Sequence, residues 1–143
     1  MEPKDTNKQD TNHPGTNQRG SAPGDQSSVN KGHEGEEEAC KFIAQLGYKI
    51  IKRNFKYGRI GEIDIVAEHE DTLVFIEVKG RSNYSYGTPE ESVNPRKQAQ
   101  LKKVASMYYY VNGIQDKACR FDVVAVDKLF GKTEIRHHIA AFF

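Results

Sequence analysis

Asp64, Glu77 and Lys79 stand where buried strands normally hold hydrocarbon. They interrupt two apolar, β-branched runs, Gly61-Glu62-Ile63-Asp64-Ile65-Val66-Ala67 and Leu73-Val74-Phe75-Ile76-Glu77-Val78-Lys79. Two such runs separated by a short acidic turn read as neighbouring antiparallel strands. Alternate residues of a strand share a face, which puts Glu77 and Lys79 with Leu73 and Phe75, and Asp64 with Glu62 and Val66. If the strands pair, Asp64 comes beside Glu77. Two adjacent carboxylates next to a lysine make a site for a hard divalent cation such as Mg²⁺, with the main-chain oxygen of Val78 as a further protein ligand. Without the cation the carboxylates repel, and at least one tends to stay protonated.

A carboxylate-held cation suits phosphodiester hydrolysis. It polarises a phosphoryl oxygen, supplies an activated water and stabilises the leaving oxyanion. Lys79 would offset negative charge at phosphorus or orient the attacking water. The competing reading is a structural ion pair at a sheet rim, Glu77 with Lys79 or Asp64 with Arg81. A Glu-x-Lys in a strand decides little by itself. The aspartate upstream, an acidic helix before it and a helix bearing Lys and Gln after it weigh towards chemistry.

The elements that must position these residues follow from periodicity. Residues 35–47 read as a helix with Ala39, Phe42, Ile43 and Leu46 on one face and Gly47 as its stop. Glu36 sits at the border of that stripe, where an acid in a first turn also reads as a partner of the helix dipole. A first strand over 48–57 carries Lys49, Lys52, Arg53 and Lys56, with Arg59 just beyond, interleaved with Tyr48, Phe55 and Tyr57. Such a cluster either tracks a phosphate backbone or guards a sheet edge. The polar loop 80–94 leaves directly from the proposed site. Within it Thr88-Pro89-Glu90-Glu91 resembles a capping box. Asn94-Pro95 opens a helix to about Val111, with Leu101, Val104, Ala105, Tyr108 and Val111 on its buried stripe. Lys97 lies one turn before Leu101 and extends the stripe towards the sheet, with Gln98 beside it. A lone lysine there also reads as a snorkelling surface residue. Strands over 120–126 and 134–143 follow. His137 and His138 are adjacent, face opposite ways on a strand and cannot line one metal site. The order helix–strand–strand–strand–helix–strand–strand predicts an α/β domain, a central mixed sheet flanked by helices.

The 143 residues suit one domain, with residues 31–143 folded. Residues 1–30 are polar, poor in large aliphatic side chains and expected to be a disordered tail. No stretch reads as a signal peptide or a membrane span, and Cys40 and Cys119 are too few for a disulfide framework. The expectation is a cytoplasmic protein with reduced core or near-core thiols. A net charge of +1 does not announce a nucleic-acid binder.

Gly32-x-x-Gly35-Glu36, Gly47-Tyr48, Arg53-Asn54, Gly61-Glu62-Ile63-Asp64, Phe75-Ile76-Glu77-Val78-Lys79, Gly87-x-Pro89-Glu90, Lys97 and Arg120-Phe121-Asp122 occur in this order over residues 32–143. Together they resemble the YraN-like family of bacterial proteins of unassigned role, in the Holliday-junction-resolvase-like branch of the PD-(D/E)xK phosphodiesterase superfamily. The resemblance implies a restriction-endonuclease-like core, α-β-β-β-α-β, here with a further C-terminal strand. It implies Asp64 and Glu77 as metal ligands, Lys79 as the catalytic lysine and Glu36 as an additional acid, reversing the helix-dipole reading of that residue. Ile63 stands where the superfamily motif has Pro, and Gly80-Arg81 where the family more often has Thr-Arg. The implied activity is a Mg²⁺- or Mn²⁺-dependent DNA endonuclease acting on branched or flapped DNA in repair or recombination, working as a homodimer. Lys52, Arg53, Lys56, Arg59, Arg81, Lys97 and Gln98 are the expected nucleic-acid contacts. The alternative is a non-catalytic nucleic-acid-binding or adaptor protein on the same fold, with RNA cleavage as a third reading.

Overall fold

Alternation along the strands sorts the apolar side chains onto two faces, and each face recruits one helix. The computed structural model describes residues 26–81 and 88–143. In order along the chain come α1 (Gln26–Gln45), β1 (Lys49–Tyr57), β2 (Gly61–His69), β3 (Thr72–Arg81), a 3₁₀ turn (Pro89–Ser92), α2 (Pro95–Val111), β4 (Cys119–Leu129) and β5 (Lys132–Phe142). The five strands form one sheet in chain order. Neighbours are antiparallel except β3 and β4, which the α2 crossover makes parallel. On one face Ala39, Cys40 and Ile43 of α1 pack on Ile65, Ala67, Val74, Ile76, Val124 and Val126. On the other, Leu101, Val104, Ala105 and Tyr108 of α2 cover Ile63, Val66, Leu73, Phe75, Phe121 and Val123. This is the expected mixed-sheet α/β arrangement, with β5 as the additional strand.

Several boundaries differ from the periodicity. α1 begins at Gln26, inside the stretch assigned to the polar tail; residues 1–25, and 82–87 of the loop, lie outside the described residues. Leu46 and Val111, expected in the buried stripes, are 51% and 55% exposed. Leu46 lies past the end of α1, where Gly47 at φ +92° turns the chain away and the Gly47 and Tyr48 amides donate to the carbonyls of Ala44 and Ile43. Val111 is the last residue of α2, beyond the sheet's cover. Cys40 is buried, but Cys119 is exposed rather than near-core, and both are free thiols. No helix among the described residues is long and apolar enough to cross a membrane.

Two buried aspartates brace the β4–β5 half of the sheet. Asp122 is fully buried and accepts from Arg120 Nε (3.1 Å), His137 Nε2 (2.8 Å) and the Ala140 amide (3.0 Å). Asp127 accepts from Arg81 Nε at 2.9 Å through one oxygen and from Arg136 Nη1 at 2.8 Å through the other. His138 points away from His137 and lies 3.4 Å from Glu90, so the two histidines serve separate structural partners as expected.

Candidate metal centre

The turn between β2 and β3 fixes the register of the site. Glu70 and Asp71 both take positive φ, 49° and 60°, as a two-residue hairpin turn of the favoured twist requires. Pairing then runs from His69↔Thr72 to Ile65↔Ile76. The next residues along are Asp64 and Glu77, and there the ladder gives way to a side chain: Asp64 Oδ2 accepts the Val78 amide at 2.8 Å.

β1 breaks at the same level. Asn54, between the pairs Arg53↔Ile65 and Phe55↔Ile63, takes φ +55°. Residues two apart on a regular strand share a face. Here Arg53 turns to Glu37 on α1 and Ile65 joins the α1 core, whereas Phe55 and Ile63 join the α2 core. The expected face shared by Asp64 and Val66 therefore does not hold. Val66 is buried under α2, while carboxylate oxygens of Asp64, Glu62 and Glu36 lie within 4.8 Å of one another. With its amide turned so that nitrogen faces these acids, Asn54 donates to Glu62 Oε1 at 2.9 Å and to the two oxygens of Glu36 at 3.1 and 3.3 Å.

Glu77 is only 5% exposed. Its Oε1 takes both nearby ammonium groups, Lys79 Nζ at 3.3 Å and Lys97 Nζ at 3.6 Å. Its Oε2 is buried with no hydrogen-bond partner among the described residues. The other such atom, His69 Nδ1, lies at the far end of β2 in a ring stacked on Tyr48. Burial, then the charge of Glu77, push the Asp64 carboxyl up to about 8; the Val78 amide opposes this, and Glu36 and Glu62 add to it. A buried carboxylate oxygen with no partner among the described residues, on the strand beside a cluster of further acids, is chemically suited to a hard, oxygen-ligated cation. The donor set of Asp64, Glu77 and the neighbouring acids fits Mg²⁺ or Mn²⁺.

The profile of the uncharacterised protein family UPF0102 matches residues 35–126, from the residue before Glu36 to Val126 within β4. The chain belongs to UPF0102, the YraN family. UPF0102 proteins from Acetivibrio thermocellus and Desulforamulus reducens are 45% and 46% identical to it. The aligned segments cover 66% and 74% of this chain and 73% and 89% of those proteins. One from Natranaerobius thermophilus is 41% identical over 78% of this chain and 96% of its own length.

In this UPF0102 member the expected nucleic-acid residues divide. Lys52, Lys56 and Arg59 are exposed on and just after β1, with Lys56 opposite Glu62 in the register. Arg53 is tied to Glu37 at 2.8 Å. Arg81 is engaged by its register partner Asp127, and Gln98 Nε2 donates to the Val93 carbonyl at 3.1 Å. Lys97 points into the site. It also lines an open cavity of about 400 Å³ with Ser92, Asn94, Arg96 and Gln100 at the start of α2. Gln100 Nε2 donates to the Ile60 carbonyl at 2.7 Å, and a Cβ on Gly61 would come 2.8 Å from that nitrogen. Gly61 is what lets α2 close over the start of β2.

Sequence reasoning missed two members of the cluster. Glu62 lies two residues from Asp64, so alternation already put it on the same face and could have marked it as a site acid. Asn54 left no periodic signal. An Asn within a strand pattern, one of the few residue types that tolerate left-handed backbone, was the only hint.

Proposed function

We propose that this chain is a Mg²⁺- or Mn²⁺-dependent DNA endonuclease of the Holliday-junction-resolvase type, acting on branched or flapped DNA. The observation that carries the reading is Glu77, whose Oε1 serves two lysines while its Oε2 stays buried and unpartnered among the described residues. The buried structural acid Asp127, by contrast, has both oxygens engaged, with Arg81 and Arg136. Asp64 and Glu77 would hold the cation, with the Val78 main-chain oxygen and water completing its shell. When bound, such an ion polarises a phosphoryl oxygen and activates water.

The chain's own residues supply the remainder. Lys79, still 29% exposed while paired to Glu77, presents positive charge to an incoming phosphate. Lys97 balances Glu77 from α2, and Glu36 adds the acid from α1. Lys52, Lys56 and Arg59 offer exposed cations to the phosphate backbone.

The test incubates labelled four-way junction, flap and linear duplex with purified protein and either Mn²⁺ or EDTA. Metal-dependent cutting that falls by more than about 10²-fold in Asp64→Asn and Glu77→Gln is the expected result. Binding without cutting by any form, Mn²⁺ included, overturns it in favour of a non-catalytic adaptor. Cutting retained by both variants assigns the activity to a contaminant and overturns it too.

A further inference from the structure

We propose that Asn54 is the positioning residue of this centre, its side-chain amide holding Glu36 of α1 and Glu62 of β2 together beside Asp64 before a cation arrives. The purpose of that arrangement rests on the endonuclease reading; the geometry does not. Asn54 is out of place twice. Asparagine is depleted from strand interiors, and left-handed backbone is rare inside a strand. Yet β1 takes φ +55° here, at the level where β2 leaves its ladder with β3.

What the kink achieves is reach. It brings an amide nitrogen within 2.9 to 3.3 Å of three oxygens on two acids from two different elements. The preceding residue makes the matching contact, Arg53 to Glu37 at 2.8 Å. Consecutive residues of β1 thus grip consecutive acids of α1, and Glu36, midway along that helix, is fixed relative to the sheet.

An amide suits this task better than an ammonium would. Carboxylate oxygens within 4.8 Å of one another repel. The two N–H groups of one amide satisfy an acid each and add no charge that would compete with a metal ion. The arrangement is that of an outer-shell group orienting ligands, whose loss in known metal sites weakens binding by about 10–100-fold.

The test measures Mn²⁺ affinity of the full chain by the electron paramagnetic resonance of free Mn²⁺. Asn54→Gly keeps the left-handed backbone available and deletes the amide. It is made alone and in a Glu36→Gln/Glu62→Gln background. The expected result is about tenfold weaker binding alone and less than about twofold further loss in the double-glutamine background, because the amide acts through those acids. Equal losses in both backgrounds mean a merely structural role and overturn the inference. Unchanged affinity in Asn54→Gly overturns it while leaving the metal reading standing, whereas a wild-type chain that binds no Mn²⁺ overturns both. A measurement without any Asn54 variant guards against misfolding. The Asn54 side-chain amide protons should exchange slowly in the wild type and quickly in Glu36→Ala/Glu62→Ala, which removes the acceptors; fast exchange in the wild type overturns the inference.

Discussion

Asp64 on β2 and Asp122 on β4 are both aspartates set among apolar strand residues, and their surroundings push them in opposite directions. Asp122 is fully buried, and burial alone would raise it. Hydrogen bonds from His137, the Ala140 amide and Arg120 outweigh that and leave its carboxyl below the usual range. Asp64 is likewise raised first by burial, but it receives only one amide against that and meets three other acids, and stands at about 8. Burial pushes both carboxyls up; the number of donors set against it and against like charge sorts the two. The same difference separates Asp127, saturated by Arg81 and Arg136, from Glu77, which keeps one oxygen bare among the described residues. One half of the sheet spends its acids on holding strands together. The other keeps acids short of partners at the end of the β2–β3 ladder, where a ligand can complete them.

The sharpest way to break this comparison is to remove each aspartate in turn. Asp122→Ala strands Arg120, His137 and the Ala140 amide in the interior, and losing one member of a buried charged set costs about 3–5 kcal/mol. Thermal melting should show a fall of roughly 10–20 °C for a domain of this size. Asp64→Asn keeps an oxygen for the Val78 amide and removes a group whose ionisation its burial and neighbours oppose. The metal-free variant should melt at or above the wild type, by up to about 2 kcal/mol. Equal losses from both substitutions would show that the two acids differ only in appearance.

A titration separates them further. The folded-state value of Asp64 lies above the ordinary aspartate value of about 3.9. Its contribution to stability is therefore fully present below about pH 4 and lost as pH rises through about 8. Asp122 has the opposite sign: its contribution is present above the ordinary value and lost as pH falls through its lowered one. Melting of the metal-free chain from pH 5 to 9 should fall on the alkaline side, and Asp64→Asn should flatten that limb alone. Mn²⁺ at pH 9 should restore wild-type melting by taking the place of the proton. An alkaline limb unchanged in Asp64→Asn would place its origin elsewhere.

How much of this could be read from the chain depends on the range of the interaction. Strand runs, the Glu70-Asp71 turn and the Asn94-Pro95 helix start are local, and each appears where composition puts it. The Thr88 amide donates to Glu91 Oε2 at 3.2 Å and Asn94 Oδ1 accepts from the Lys97 amide at 3.0 Å, as the capping patterns indicated. The neighbourhood of Asp64 and Glu77 was legible for the same reason, because a two-residue turn carries the register straight to them. What alternation could not supply is its own failure. A rule for regular strands gives no notice of the level at which Asn54 and Asp64 both leave it. Nor could it name the partner of Arg81, since Asp127 is 46 positions along and becomes its neighbour only through the parallel β3–β4 register.

The smallest expected effect tests the well-partnered half at its margin. Glu90, in the 3₁₀ turn that leads into α2, accepts from Arg136 Nε at 2.7 Å, and the same guanidinium reaches Asp127. Burial raises the Glu90 carboxyl, but Arg136, a main-chain amide and His138 overcome it and bring it down to about 2. Its stabilisation is therefore present above the ordinary glutamate value and lost as pH falls towards 2. Glu90→Gln keeps an acceptor for Arg136 and removes only the charge, so the loss at pH 7 should be about 1 kcal/mol, a few degrees of melting. Wild type and variant should converge near pH 2. Mn²⁺ affinity should not change, because Arg136 still has Asp127 and Lys97 still reaches Glu77. A matching loss of Mn²⁺ binding would mean that the two halves of the sheet are coupled through the 3₁₀ turn rather than independent.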